Sequence, residues 1–264
     1  VSTAPGPAAL AAAGLPDLAP ALASPAHPLV FATVSGAHLY GFPSRDSDVD
    51  VRGAHLLPLR AVLALDAPAE TSGRMWERDG TEMDLVTHDL AKFARLLLRR
   101  NGYVLEQLLS PLVARTSPVH AGLVALAPRL LTRHHAHHYR GFARGQWKLF
   151  GSTGELKPLL YTFRVLLTGV HLMRAGEVVA HLPTLTGLVP APAYLGDLVA
   201  AKAAAEHGLL GDVTGAPGAE RLAADVAALH GALDEAQGRT PLPDAPEGRA
   251  ELGEIVVDAR LQLG

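Results

Sequence analysis

The spacing of apolar and polar residues along the chain changes period once, just after Thr87. Before that point the pattern is that of strands. Residues 29–34 form a short β-prone apolar run, stopped by Ser35-Gly36. Over residues 48–51 Asp48 and Asp50 alternate with Val49 and Val51, which predicts a strand with both carboxylates on one face and both valines on the other. Residues 72–77 and 81–87 read as a third and fourth strand around Asp79-Gly80, a dipeptide suited to a type I′ hairpin turn.

Beyond Thr87 the period is helical. Leu90, Phe93, Ala94, Leu97 and Leu98 recur on one helix face, and Asn101-Gly102 closes that helix. Helices are expected over roughly 103–110, 118–140, 155–176, 192–207, 217–237 and 248–262, with Pro/Gly clusters at 182–192 and 208–218 separating them. Residues 1–28 are rich in Ala, Pro and Leu and read as an N-terminal arm, with a short helix around 8–13. No internal repeat is visible. The expectation is an α+β chain in three parts: the arm (1–28), a mixed-sheet domain with flanking helices (29–115) and an all-helical domain (116–264).

Composition narrows the class. With 48% hydrophobic and 19% charged residues, the chain of 264 residues is globular rather than disordered. No apolar run is long enough to span a bilayer, and no basic segment precedes a compact apolar one at the start, so a cytoplasmic protein without membrane association is expected. The absence of cysteine excludes disulfides and thiolate metal sites. The net charge of −3 is unevenly spread: residues 92–148 hold ten Lys or Arg and one acid, Glu106, for a local +9. Such an excess suits a polyanionic partner, although the same arginines would also suit a solvated face paired with acids elsewhere in the fold.

The candidate chemistry centres on Asp48 and Asp50. Side-by-side carboxylates repel unless a cation lies between them, and hard oxygen ligands of this kind suit Mg²⁺ or Mn²⁺. The glycine turn at Ser35-Gly36, twelve residues earlier, is placed to hold the phosphates such a metal bridges. A third acid is expected from a neighbouring strand. Asp84 fits, with Glu82 competing on the same face; an acid there could bind a second metal and accept a proton from an attacking hydroxyl. Further on, Lys157, Tyr161 and Arg164 fall in a polar stripe beside the apolar face of the 155–176 helix, a pattern open to routine surface residues or to phosphate and base contacts. The run His134-His135-Ala136-His137-His138 has helical spacing for a metal pair. With Arg133, Arg140 and Arg144 around it, it reads better as a basic helix facing nucleic acid. Trp147 and Tyr139 could stack bases there or belong to the core.

The strings Ser35-Gly36-Ala37-His38-Leu39-Tyr40-Gly41 and Ser47-Asp48-Val49-Asp50-Val51-Arg52-Gly53 resemble the polymerase-β-like nucleotidyltransferases, most of all their RNA-repair-associated branch found beside RNA ligases. Asn101 and Glu106 match an Asn and a Glu that this branch carries after its third Asp. One departure is Gly36-Ala37 where the family usually has Gly-Ser. The likeness covers roughly 29–176. It implies a nucleotidyltransferase palm followed by a helical domain, with Asp48, Asp50 and Asp84 as metal and catalytic residues. It further implies Ser35 and Gly36 at the phosphates of a nucleoside triphosphate, and Lys157, Tyr161 and Arg164 steadying that triphosphate and its base. The reaction implied is Mg²⁺- or Mn²⁺-dependent transfer of a nucleoside monophosphate to a hydroxyl, releasing pyrophosphate. An RNA or DNA 3′ end, RNA favoured, is the expected acceptor. Transfer to a protein or small molecule, or a catalytically silent nucleotide- or nucleic-acid-binding module, are the alternatives.

Overall fold

A computed structural model describes residues 7–23, 25–66, 68–78, 80–204 and 207–263. By internal contacts the chain divides into two units. The first gathers 1–39, 48–130 and 245–264; the second gathers 40–47 and 131–244.

The first unit is built on a five-stranded sheet. In chain order its strands are β1 (Leu29–Val34), β2 (Val49–His55), β3 (Thr71–Arg78), β4 (Thr81–Asp89) and β5 (Val113–Arg115), in the spatial order β3-β4-β2-β1-β5. Only the β2–β4 pair is parallel; the others are antiparallel, so the sheet is mixed as expected. All six residues of β1 are buried, which fits its apolar run and a strand flanked on both sides. β3 and β4 pair Arg78 with Thr81 across a two-residue turn, and Gly80 there has φ +78°. Its partner in the expected Asp79-Gly80 turn, Asp79, lies outside the described residues.

Helices complete this unit: α1 (Pro7–Ala12), α2 (Gly36–Tyr40, whose last residue falls in the second unit), α3 (Leu59–Val62), α4 (Leu90–Leu98), α5 (Gly102–Leu108) and α6 (Pro118–Leu126). α4 starts where β4 ends because the Asp89 carboxylate accepts from the Ala91 N–H, and it buries Leu90, Phe93, Ala94 and Leu97. The described part of the N-terminal arm buries Leu10, Leu15, Leu18 and Leu22.

The second unit holds α7 (His135–Thr153), α8 (Leu156–Ala175), α9 (Leu182–Leu188), α10 (Leu195–Ala204) and α11 (Ala219–Arg239). α8 is its centre: sixteen of its twenty residues are buried, between α7 and α11 among others. The last helix, α12 (Arg249–Leu263), returns to the first unit. Buried Arg260 donates to Asp89 Oδ1 (2.6 Å) and to the Leu57 carbonyl (3.0 Å). This differs from a cut at residue 115: α12 packs on α4 and α6, and the buried Arg260–Asp89 pair ties it to the end of β4.

Three local expectations change. The helix expected over 118–140 is two helices, α6 and α7, separated by a 3₁₀ turn at Ala127–Leu130 that contains Pro128. α7 instead runs on to Thr153, through Gly141, Gly145 and Gly151, whose low helix propensity hid that half. The Pro/Gly cluster at 182–192 holds α9, with Pro183 in the first turn, where a missing N–H costs nothing. Among the described residues no helix is long and apolar enough to cross a membrane.

Candidate active site

Parallel pairing of β2 with β4 sets Asp50 opposite Asp84. Paired residues point to one face, and Arg52, two residues on from Asp50, shares it. Its guanidinium lies between the two acids: Nη2 donates to Asp50 Oδ1 at 2.6 Å and to Asp84 Oδ2 at 2.8 Å. Nη1 donates to the Asp84 and Val51 carbonyls at 2.7 and 3.0 Å, and Nε donates to the Tyr103 hydroxyl at 3.2 Å. Burial works against the Arg52 cation, yet Tyr103, Asp50 and Asp84 outweigh it and hold its pKa above the ordinary arginine value. The carboxylates are half-buried, with side-chain exposures of 31% and 27%, so the pair remains open to a ligand.

The competing acid, Glu82, is exposed and pairs with Glu77 of β3, one residue before the β2–β4 pairing begins at Met83. Asp48 is exposed and stands just before β2, whose first paired residue is Val49.

The glycine turn touches this pair directly. The Ser35 N–H donates to the Asp50 carbonyl at 2.8 Å. Gly36 has φ +63°, and a Cβ on it would lie 2.0 Å from Asp50 Oδ2, so no larger residue fits while the carboxylate keeps its place. Ser35 Oγ is buried and has no hydrogen-bond partner among the described residues. Ala37, where a hydroxyl residue is usual, is buried. On the other side, Asn101 caps α5: its Oδ1 accepts from the N–H groups of Tyr103 and Val104, and Glu106 is buried in the same helix.

In the second unit the polar stripe of α8 is interior rather than a surface. Arg164 is 2% exposed, and its guanidinium carbon sits 3.7 Å from the centre of the Tyr40 ring and 5.7 Å from that of Tyr161. Thr168 and His171 are also buried, while Lys157 and Tyr161 are half-buried. The reason is long-range: α8 is enclosed by α7 and α11, which its own spacing cannot show.

The histidine run is mixed: His135 is buried, His134 and His138 are half-buried, and His137 is exposed. His135 is buried against Thr132, His134 Nε2 lies 3.2 Å from Asp244 Oδ1, and Arg140 pairs with Asp234 and Gln237. Tyr139 is core, whereas Trp147 is half-buried against Phe150. Among the described residues of the 92–148 segment, Arg95, Arg129, Arg133 and Arg140 pair with acids from outside it. Part of the +9 is therefore neutralised within the fold.

Asp50 and Asp84 set two hard carboxylate oxygen donors opposite each other, the atoms that could hold a divalent cation, and in this structure the Arg52 guanidinium lies between them. The buried Ser35 hydroxyl and the Gly36 turn stand beside it. Among the described residues, no group of three acidic or histidine side chains is arranged to hold a metal ion. Tyr103 and the bridging role of Arg52 escape the sequence; the only signal for the latter is its i+2 spacing from Asp50 in a strand.

This mixed sheet, with two carboxylates meeting beside a glycine turn, is that of a polymerase-β-like nucleotidyltransferase. A family model described as the RNA repair pathway DNA polymerase beta family matches residues 12–258, and the chain belongs to that family. It is 33% identical over 154 residues to the uncharacterized protein MJ0002 of Methanocaldococcus jannaschii, an alignment covering 56% of this chain and 61% of that protein. The chain thus spans about three-fifths of that relative's length. A crystal structure of a nucleotidyltransferase-like protein from Exiguobacterium sibiricum 255-15 is 11% identical, covering 93% of this chain and 77% of that one, at a TM-score of 0.32.

Proposed function

We propose that the protein transfers a nucleoside monophosphate from a ribo- or deoxynucleoside triphosphate to a hydroxyl, in a reaction that depends on Mg²⁺ or Mn²⁺ and releases pyrophosphate. The observation that carries this reading is the Asp50–Asp84 pair, set in register beside Gly36. Asp50 and Asp84 would hold the cation, with Asp48 joining from the entrance to β2. A divalent ion on these oxygens supplies positive charge to the triphosphate and to the attacking oxygen. Asp84 accepts the proton of the attacking hydroxyl. Ser35 and Gly36 receive the phosphates through the buried hydroxyl and the turn backbone. Within the second unit, half-buried Lys157 and Tyr161 are the proposed nucleotide contacts of that unit, and Arg164 holds the Tyr40 and Tyr161 rings.

The acceptor favoured by the family's RNA-repair description and by the +9 of residues 92–148 is an RNA 3′ end, with a DNA end second. The test uses α-labelled ribo- and deoxynucleoside triphosphates, Mg²⁺ or Mn²⁺, and short single-stranded RNA and DNA, with Asp48→Asn and Asp50→Asn alongside. Label on a strand with wild type alone supports transfer to a nucleic-acid end and reads out the sugar preference. The second reading, a nucleotide- or nucleic-acid-binding module without turnover, is favoured by one observation: Arg52 stands between the acids and no three-acid set is present among the described residues. Triphosphate binding with no labelled product on any strand, protein or small acceptor would select it.

A further inference from the structure

We infer that Tyr103 is a positioning residue for the carboxylate pair, acting through Arg52. This rests on the reading of Asp50 and Asp84 as cation ligands and extends it to a residue that no acid motif contains. Four contacts form an unbroken path. The Asn101 side chain accepts from the Tyr103 N–H at 3.1 Å, which sets the first turn of α5. The Tyr103 hydroxyl accepts from Arg52 Nε at 3.2 Å. Arg52 Nη2 then donates to one oxygen of each acid, at 2.6 and 2.8 Å.

A guanidinium is a planar fork, so fixing Nε fixes the direction in which Nη1 and Nη2 point. Two backbone carbonyls hold the Nη1 side and Tyr103 holds the Nε side. The Arg52 side chain is only 13% exposed, so water is a poor substitute for the phenol. Without it the fork can tilt, and both carboxylates lose a common reference. The path also gives Asn101 a physical role: it does not reach the acids, but as the cap of α5 it sets where the phenol stands.

The test holds charge constant, so that geometry alone is read. Tyr103→Phe removes one hydroxyl, and Arg52→Lys keeps the cation but loses the fork. Mn²⁺ binding to the full chain is titrated by electron paramagnetic resonance, with thermal melting as a control. Tyr103→Phe is expected to weaken Mn²⁺ binding about 5-fold, and Arg52→Lys about 20-fold, with melting within a few degrees of wild type. Adding Tyr103→Phe to Arg52→Lys should cost nothing further, because both act through one contact. Unchanged Mn²⁺ affinity in Tyr103→Phe, or full additivity in the double variant, overturns the inference. So does a wild-type chain that binds no Mn²⁺. Labelled-nucleotide transfer by the wild type separates the two levels: a chain that binds Mn²⁺ with the expected ratios but transfers nothing contradicts the proposed reaction and leaves Tyr103 in its role.

Discussion

β4 carries two aspartates five residues apart, each paired with an arginine, and the two pairs sit in opposite surroundings. Asp89 and Arg260 are 2% and 9% exposed, and their oxygens and nitrogens are spent on the fold: the cap of α4, the Leu57 N–H and carbonyl, and the docking of α12. Burial pushes the Asp89 carboxyl up, but hydrogen bonds from Arg260, Leu57 and Ala91 bring it below the usual range. Asp84 lies on the other face and is part-exposed, and Arg52, itself largely covered, shares its bonds between Asp84 and a second carboxylate beside a glycine turn. An Asp–Arg pair therefore has no fixed meaning. What differs is whether the acid's oxygens are used up by backbone and burial or left part-exposed beside a second carboxylate that shares the same arginine.

Substitutions should break this contrast in both directions. Asp84→Asn is expected to lower nucleotidyl transfer about 10⁴-fold, roughly 5.5 kcal/mol of barrier, with little change in melting. The check is a rate and a melting curve from one preparation; equal loss in both would make Asp84 structural. For Arg260→Met the effects invert. Leaving Asp89 buried without its partner should cost about 4 kcal/mol of stability by urea titration, while the folded fraction keeps its turnover. A smaller effect follows from the turn: Gly36→Ala, with its Cβ at the Asp50 carboxylate, should lower turnover about 100-fold. Wild-type rates there would mean that Asp50 can move aside freely.

The smallest effect concerns the structural face alone. Burial, followed by His27, lowers the His55 pKa to about 4 from 6.5. Between those values the unfolded chain binds a proton that the folded chain refuses. The His55 contribution is thus complete above pH 6.5 and is lost as pH falls through that window. Denaturation at pH 7 and pH 4.5, with and without His55→Gln, measures it; the same slope in both chains would remove His55 from the account.

How far these faces could be read beforehand depends on the range of the forces involved. Local period placed β1, the start of β2, the β3–β4 hairpin strands and α4, because alternation and capping act within a few residues. Asp84 was distinguishable from Glu82 only through the parallel β2–β4 register, which joins segments more than thirty residues apart. Neither the Arg52 bridge nor Tyr103 is marked by any motif. The interior position of Arg164 was hidden for a related reason: a helix with polar residues on one side reads as a surface helix until its neighbours are known. The same holds for residues 40–47, which join the two family-like strings yet group with the helical unit, where buried Lys202 donates to Ser44 at 3.2 Å and Ser44 meets Ser47 at 2.9 Å.

The most direct test of the central claim is the rate at which Asp50→Asn moves label from an α-labelled nucleoside triphosphate to single-stranded RNA and DNA at saturating Mg²⁺, beside wild type. The account predicts labelled strands from wild type and none from the variant, with both chains melting alike. A variant that labels strands at the wild-type rate would contradict it, because Asp50 would then hold neither the metal nor the reaction.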